Sequence, residues 1–178
     1  MKIFPDNLLK TESTLREDLL PWLTHQTSLT DRLKKIRGDV SLKVLNQRWT
    51  FPDWWCKFTL DLTVEMIWQR EILMYSQETP CWYARTLVPH LTYQTNYSFF
   101  EKLDRESLGT LLFGNVNITR KFMLNYSVNN QCLEYYWFPE LPGNKEDQYW
   151  TRFSGFVLNG LPFYLIEILL PGLVRIMN

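Results

Sequence analysis

The chain has 178 residues, 46% of them hydrophobic and 21% charged, a balance that excludes a disordered chain and sets one domain, 1–178, as the expectation. Lys+Arg and Asp+Glu stand at 19 each, so the basic excess of a general nucleic-acid binder is missing, and any anionic ligand has to be met by a few local arginines. The 3 cysteines form no CxxC pair and the 2 histidines no HExxH, which leaves neither a disulfide framework nor a metal-site pattern. Reduced thiols in a cytoplasmic protein are expected.

The first residues, MKIFPDNLLKTE, lack the apolar core of a signal peptide. Thr14-x-x-Glu17 reads as a capping box that opens a short helix through Leu19, Leu20 and Leu23. Ser28 caps a second helix with Leu29, Leu33 and Ile36 on one face and Gly38 at its end. A strand follows from about Val40 to Phe51, and FPDWWCK reads as an aromatic loop. Val64, Met66, Trp68, Arg70, Ile72 and Met74 then share one face of a strand, the clearest period-2 pattern in the chain. Gln77 to Pro80 turns it into a strand from Cys81 to Pro89. Ser98-x-x-Glu101 opens another helix, and a further one runs from Ser107 to Phe113 with Gly114 as its stop. Ile118, Arg120, Phe122, Leu124, Tyr126 and Val128 alternate as a strand. Residues 129–147 form a polar segment around the aromatic run CLEYYWF.

The apolar stretch FVLNGLPFYLIEILLPGLV carries Asn159-Gly160, Pro162, Glu167 and Pro171, which suits two strands joined by a tight hairpin and not a spanning helix. About six strands with helices clustered at the N-terminus and in the middle give an α+β class. The expected architecture is one antiparallel sheet with helices packed on one face. No GxGxxG and no GxxxxGK[ST] is present, so a nucleotide cofactor has no motif behind it.

Glu167 is the most informative residue, because it lies in a run that is apolar on both strand faces. Burying its carboxylate costs several kcal/mol unless it is paired and hydrogen-bonded. Arg70 has the same oddity on its own strand and needs a carboxylate partner or a ligand. An internal ion pair of Arg70 with Glu71 or Glu167 is the plain alternative. Arg85 lies on the next strand in phase with Tyr83 and Leu87. Together Arg70, Arg85 and Glu167 suggest a pocket for a small anion with one carboxyl group at hand for proton transfer.

The segments PWLTHQTSLTDRLKK, QREILMYSQETPCWYARTLVP, ESLGTLLFGNVNITRKF and LPFYLIEILLP, in this order and spacing, resemble the chorismate lyase (chorismate pyruvate-lyase) family of the bacterial ubiquinone pathway. The resemblance runs from about Leu20 to Pro171 with a gap at 129–147. It implies a carbon-oxygen lyase that converts chorismate to 4-hydroxybenzoate and pyruvate, the first committed step of ubiquinone biosynthesis, without metal or organic cofactor. The balanced charge, the thiols and the lack of a spanning run give the further expectation of a cytoplasmic protein with no nucleic-acid partner and no integral membrane segment, and a monomer is expected.

By the resemblance, Arg70 binds the ring carboxylate with the backbone N–H of Leu108. Glu167 faces the 4-hydroxyl and the departing enolpyruvyl ether, Arg85 holds the second carboxylate, and Leu29 closes over the ligand as a flap residue. Leu29 stands where the family commonly has Met, and Ala84 where Gly is expected. The same fold includes effector-sensing domains of transcription regulators, so a non-catalytic domain that binds small carboxylates is the alternative. Such sensors follow a DNA-binding domain, and about 40 residues before the first strand are too few for one.

Overall fold

The computed structural model describes residues 6, 8, 16–63, 66–104, 106–112, 117–140 and 146–177. Its strands are β1 (Ser41–Thr50), β2 (Ile67–Ser76), β3 (Thr79–Pro89), β4 (Ile118–Asn129), β5 (Gln148–Leu158) and β6 (Leu161–Leu169). They form one six-stranded sheet in the order β1-β2-β3-β6-β5-β4, and every neighbouring pair is antiparallel. The first three strands and the last three are thus two meanders joined through β3 and β6. Local turn chemistry closes two of the hairpins. Asn159 and Gly160 take positive φ (49° and 83°) between Leu158 and Leu161, the backbone demanded by a two-residue turn that matches strand twist. Gln77, also at positive φ, turns β2 into β3.

The helices are α1 (Leu20–Leu23), α2 (Leu29–Arg37), α3 (Trp54–Leu60), α4 (His90–Thr95), α5 (Tyr97–Phe100), α6 (Leu108–Leu112) and α7 (Pro171–Arg175). No helix among the described residues is long and apolar enough to cross a membrane. Ser28 caps α2 as expected, its hydroxyl accepting the Asp31 N–H at 3.1 Å, and Gly38 ends the helix. Leu29 and Leu33 are buried on one face of α2, but Ile36 in the last turn is exposed. Leu19, at the α1 N-cap, makes no side-chain capping bond, and Thr14 of the expected capping box lies outside the described residues. Val64, Phe113 and Gly114 lie outside them as well. The helix expected from Ser98 starts at Tyr97 and runs into a 3-10 turn, Glu101–Asp104.

Both faces of the sheet are covered, which is why the central strands read as apolar throughout. On the first face, side chains of α1, α2, α5, α6 and α7 pack on Trp68, Ile72, Met74, Trp82, Val88, Phe163 and Leu165. This is the expected helical layer. The second face carries α3 and the 3-10 turn Leu133–Tyr136, packed on Leu73, Tyr83, Leu87, Phe153 and Ile166. The FPDWWCK segment is therefore not a loop. Asp53 accepts the Cys56 N–H at 2.8 Å and caps α3, while Trp55, Cys56 and Leu60 point at the sheet. The cap and the apolar i, i+1, i+5 set are weak signals at seven residues, and sheet packing settles the matter.

Register shifts interrupt three strand pairs. In β4 the shift falls between Arg120 and Phe122. Ile118 and Arg120 consequently sit on the first face opposite Leu158 and Phe156. Phe122, Leu124, Tyr126 and Val128 sit on the second. The unbroken alternation in the sequence hides this change of face.

Gly172, at the start of α7, lies against the β3 backbone. A Cβ there would meet the Pro80 carbonyl oxygen well inside contact distance. Gly172→Ala is expected to cost about 1–3 kcal/mol, because backbone and not a flexible side chain has to move. A thermal melt reads this as a lower Tm.

Candidate active site

The first face of the sheet places Glu167 and Arg70 together. Glu167 on β6 pairs across to Ala84 on β3, and Ala84 pairs to Ile72 on β2, two residues from Arg70. The two ionisable groups are separated by two strand spacings, roughly 10 Å, and by two residues, roughly 7 Å, along the strands. Only the small Ala84 side chain stands between the Glu167 position and β2.

Arg70 is 2% exposed, yet its Nε is buried without a hydrogen-bond partner. It pairs neither with Glu71, which points to the second face, nor with Glu167. Burial pushes its pKa down to about 10, and the charge of Asp104 works against that shift. The side chain lines a cleft of about 1010 Å³, part of it open to solvent, with Asp31, Lys34, Met74, Asp104 and Ser107. Ser107 caps α6, accepting the Thr110 N–H at 3.2 Å, and Leu108 follows as its first residue with a buried side chain. N–H groups in a first helical turn have no intrahelical acceptor, so this backbone can offer donors to the cleft.

Glu167 lines a second, much tighter space of about 10 Å³, walled in part by Ser28, Leu29 and Gly109. At Gly109 a Cβ would come 3.0 Å from the Ser28 hydroxyl, so the α2 cap would have to give by a few tenths of an ångström to admit one. Leu29, expected as a lid, is 2% exposed and lines this cavity. The site is thus two adjoining spaces with α2 and α6 forming the wall of both, instead of one closed cavity.

Arg152 is the residue that sequence reasoning missed. It pairs directly across from Glu167 in the β5–β6 ladder, and its Nε is 3.3 Å from Glu167 Oε2. Its Nη1 donates to the Trp22 carbonyl at 3.0 Å, tying α1 to the site. The signal was available. Counting back from a two-residue Asn-Gly turn puts residue 152 opposite residue 167. Arg120 lines the same cavity, delivered there by the β4 bulge. Around these cations His25 is held below the usual histidine range by burial and then by Arg32, Arg152 and Arg120.

Arg85 is not part of this arrangement, which corrects the expected trio of Arg70, Arg85 and Glu167. It lies on the second face. Its Nη2 and Nε donate to Glu71 Oε1 at 2.7 and 3.0 Å, and its Nη1 reaches Asp53 Oδ2 at 3.3 Å. Its guanidinium sits 3.8 Å from the Trp137 ring centroid. Tyr83 and Asn46 complete the cluster, donating to Glu71 at 2.6 and 3.1 Å. Burial by itself pushes the Glu71 carboxyl up, but the hydrogen bond from Tyr83 and the charge and bonds of Arg85 outweigh it and hold the group below its usual range.

Residues 9–176 match the sequence profile of the chorismate lyase family. A chorismate pyruvate-lyase of Pectobacterium carotovorum is 28% identical over 160 residues, 89% of this chain and 80% of that protein. A probable chorismate pyruvate-lyase of Aromatoleum aromaticum is 29% identical over 161 residues, 89% and 87% of the two chains. Among solved structures, the C-terminal domain of the histidine utilization repressor from Pseudomonas syringae is similar with a TM-score of 0.53. It is 10% identical and the match covers 75% of this chain and 92% of that one. The effector domain of PhnF from Mycobacterium smegmatis is similar with a TM-score of 0.50 at 9% identity, over 81% and 89%. At these identities the two structures share the fold alone with this chain.

Proposed function

The chain belongs to the chorismate lyase family, and on that premise we propose that it splits chorismate into 4-hydroxybenzoate and pyruvate, with the first face of its sheet as the active site. The observation that carries the site assignment is Arg70, a buried guanidinium whose Nε has no hydrogen-bond partner among the described residues, on the same face as Glu167. A buried, uncompensated cation is costly unless an anion completes it. The ring carboxylate of the substrate is that anion, with the first-turn N–H of Leu108 as its second donor. Glu167 lies at the far end, by the 4-hydroxyl and the enolpyruvyl ether, and Leu29 covers the ligand. Arg85 is left out of the site.

The chemistry needs few groups. The C4–H electrons form the new ring double bond, and the C3–O bond breaks with its pair leaving on the enol oxygen. The C4 proton ends on the methylene carbon, which becomes the methyl of pyruvate. Aromatisation drives the reaction, so the protein has to orient a dianion, exclude water and hold or pass one proton.

Purified protein mixed with chorismate is expected to release 4-hydroxybenzoate and pyruvate in equal amounts, followed by absorbance and by a coupled pyruvate assay. Binding of 4-hydroxybenzoate without turnover of chorismate overturns the catalytic reading in favour of a carboxylate-binding domain. Arg70→Met tests the site. Loss of a charge-assisted hydrogen bond is expected to weaken 4-hydroxybenzoate binding about 10- to 100-fold. Folding stability is expected to hold or rise, since the desolvated charge is gone. Unchanged affinity in this titration removes Arg70 from the site.

A further inference from the structure

We propose that Asp104, held in place by Gln47, is a specificity-determining residue of the Arg70 cleft: its carboxylate contests Arg70 with the carboxylate of the ligand and so sets how tightly substrate and product are held. The proposal rests on the assignment of the ring carboxylate to Arg70 above. A carboxylate that belongs to the chain is unlike the donors named so far, because it works against the ligand.

Gln47 lies directly across from Arg70 in the β1–β2 ladder. A register shift between Val44 and Asn46 puts it there, and without that shift Asn46 would stand opposite Arg70. Asn46 instead opposes Glu71 and donates to it on the second face. Gln47 is left on the first face, where directly opposed residues have their Cβ atoms about 5 Å apart. Its Nε2 donates to Asp104 Oδ1. Asp104 is the last residue of the 3-10 turn Glu101–Asp104, and this bond ties the turn to the edge strand. Asp104 and Arg70 line the same cleft. Among the described residues no ion pair joins the two, so Asp104 acts on Arg70 through its field and leaves the guanidinium open to a ligand.

The charged residues that line the cleft are Lys34 and Arg70 against Asp31 and Asp104. They cancel, so an anion that enters is drawn by no net charge, and its hold depends on Arg70 itself. Asp104 is the charge that Arg70 feels, since it works against the lowering of the Arg70 pKa by burial. The interaction that favours the guanidinium in the empty cleft disfavours a second anion beside it, because like charges repel across the same space. Asp104 is exposed, so water reduces this contest to a moderate one. A moderate penalty suits a site whose product has to leave. Substrate and product both carry the ring carboxylate, so Asp104 weakens both alike. It raises KM and shortens the stay of the product without touching the bond that breaks.

Titration of 4-hydroxybenzoate and of the neutral 4-hydroxybenzamide into wild type, Asp104→Asn and Gln47→Glu, at low salt and at about 0.5 M NaCl, tests this. Asp104→Asn keeps the shape and an acceptor oxygen for Gln47. It is expected to bind 4-hydroxybenzoate about three- to tenfold more tightly at low salt. At high salt the gain is expected to shrink below about twofold, and the amide is expected to show no gain at either salt. Gln47→Glu places a carboxylate straight across from Arg70 and is expected to weaken 4-hydroxybenzoate binding about tenfold. In chorismate turnover, Asp104→Asn is expected to lower KM and the product inhibition constant by the same factor, with kcat held or lower. Should asparagine disturb the turn, Asp104→Ala carries the same expectations. Low-salt affinity of the Asp104 variant within about twofold of wild type, a gain that salt leaves unchanged, or an equal gain for the amide overturns the proposal. The titrations need no turnover. A wild type that binds 4-hydroxybenzoate without splitting chorismate ends the lyase reading, and the titrations still decide the role of Asp104. A wild type that binds neither removes the Arg70 site and the role of Asp104 with it.

Discussion

Arg85→Met is expected to lower stability by about 3–5 kcal/mol while leaving the folded fraction active. The side chain is buried and holds Glu71 with donors from both Nε and Nη2, while Nη1 reaches Asp53 and the guanidinium lies over Trp137. Methionine fills much of the volume but leaves a buried carboxylate with only Tyr83 and Asn46 as donors. Taking away one member of a buried pair costs more than the pair itself contributes, because the remaining charge has lost its solvent and its partner.

The same cluster sets a pH dependence. The folded-state pKa of Glu71 is depressed, so its ionisation contributes stability above the ordinary carboxylate range, and this is lost as pH falls through the folded value. In Arg85→Met, burial without the counter-charge favours the protonated carboxyl, so acid relieves the variant. The gap in urea stability between wild type and variant is therefore expected to be widest near neutral pH and to shrink steadily as pH falls toward and through the ordinary carboxylate range, about pH 4. A gap under about 1 kcal/mol at neutral pH, or one that does not change with pH, would show that the clasp is no more than a surface-like pair. A folded variant with a collapsed kcat/KM would return Arg85 to the active site.

Glu167→Gln is expected to lower kcat for chorismate about 100-fold or more while product affinity is largely kept. Glutamine preserves shape and an oxygen acceptor but cannot exchange a proton. Steady-state kinetics with a parallel titration of 4-hydroxybenzoate reads both. Turnover and product binding that fall together would assign Glu167 an orienting role. Turnover like wild type would exclude acid–base participation and leave aromatisation and the arginines to carry the reaction.

Much of the fold was legible because its signals are local. Ser28 and Gly38 bound α2 through capping geometry that a few residues determine. Asn159-Gly160 defines the β5–β6 hairpin because its backbone favours that turn. Glu167 stood out in a strand apolar on both faces and Arg70 on an otherwise apolar strand face, where an ionisable residue has no cheap place to go. Helix α3 was hidden, since seven residues gain too little from helix formation by themselves, and packing on the sheet decides their state.

Which arginine faces which carboxylate was a different kind of question. The Gln77-Glu78 turn pairs Ser76 with Thr79 and Tyr75 with Pro80, and continued without interruption that register would set Arg70 opposite Arg85. A register shift between Met74 and Tyr75 moves the pairing by one, so Arg70 opposes Thr86, Arg85 opposes Glu71, and Arg85 turns to the other face. The β4 bulge does the reverse for Arg120 and brings it in. The β5–β6 pair has no shift, and there counting from the turn does place Arg152 against Glu167. The amino-acid sequence by itself determined the strands, the caps, the turns and the presence of stranded charges, because each is a property of a few adjacent residues. The tertiary structure decided which face each charge occupies, because a bulge leaves the local alternation intact and is selected only by the packing of two whole faces at once.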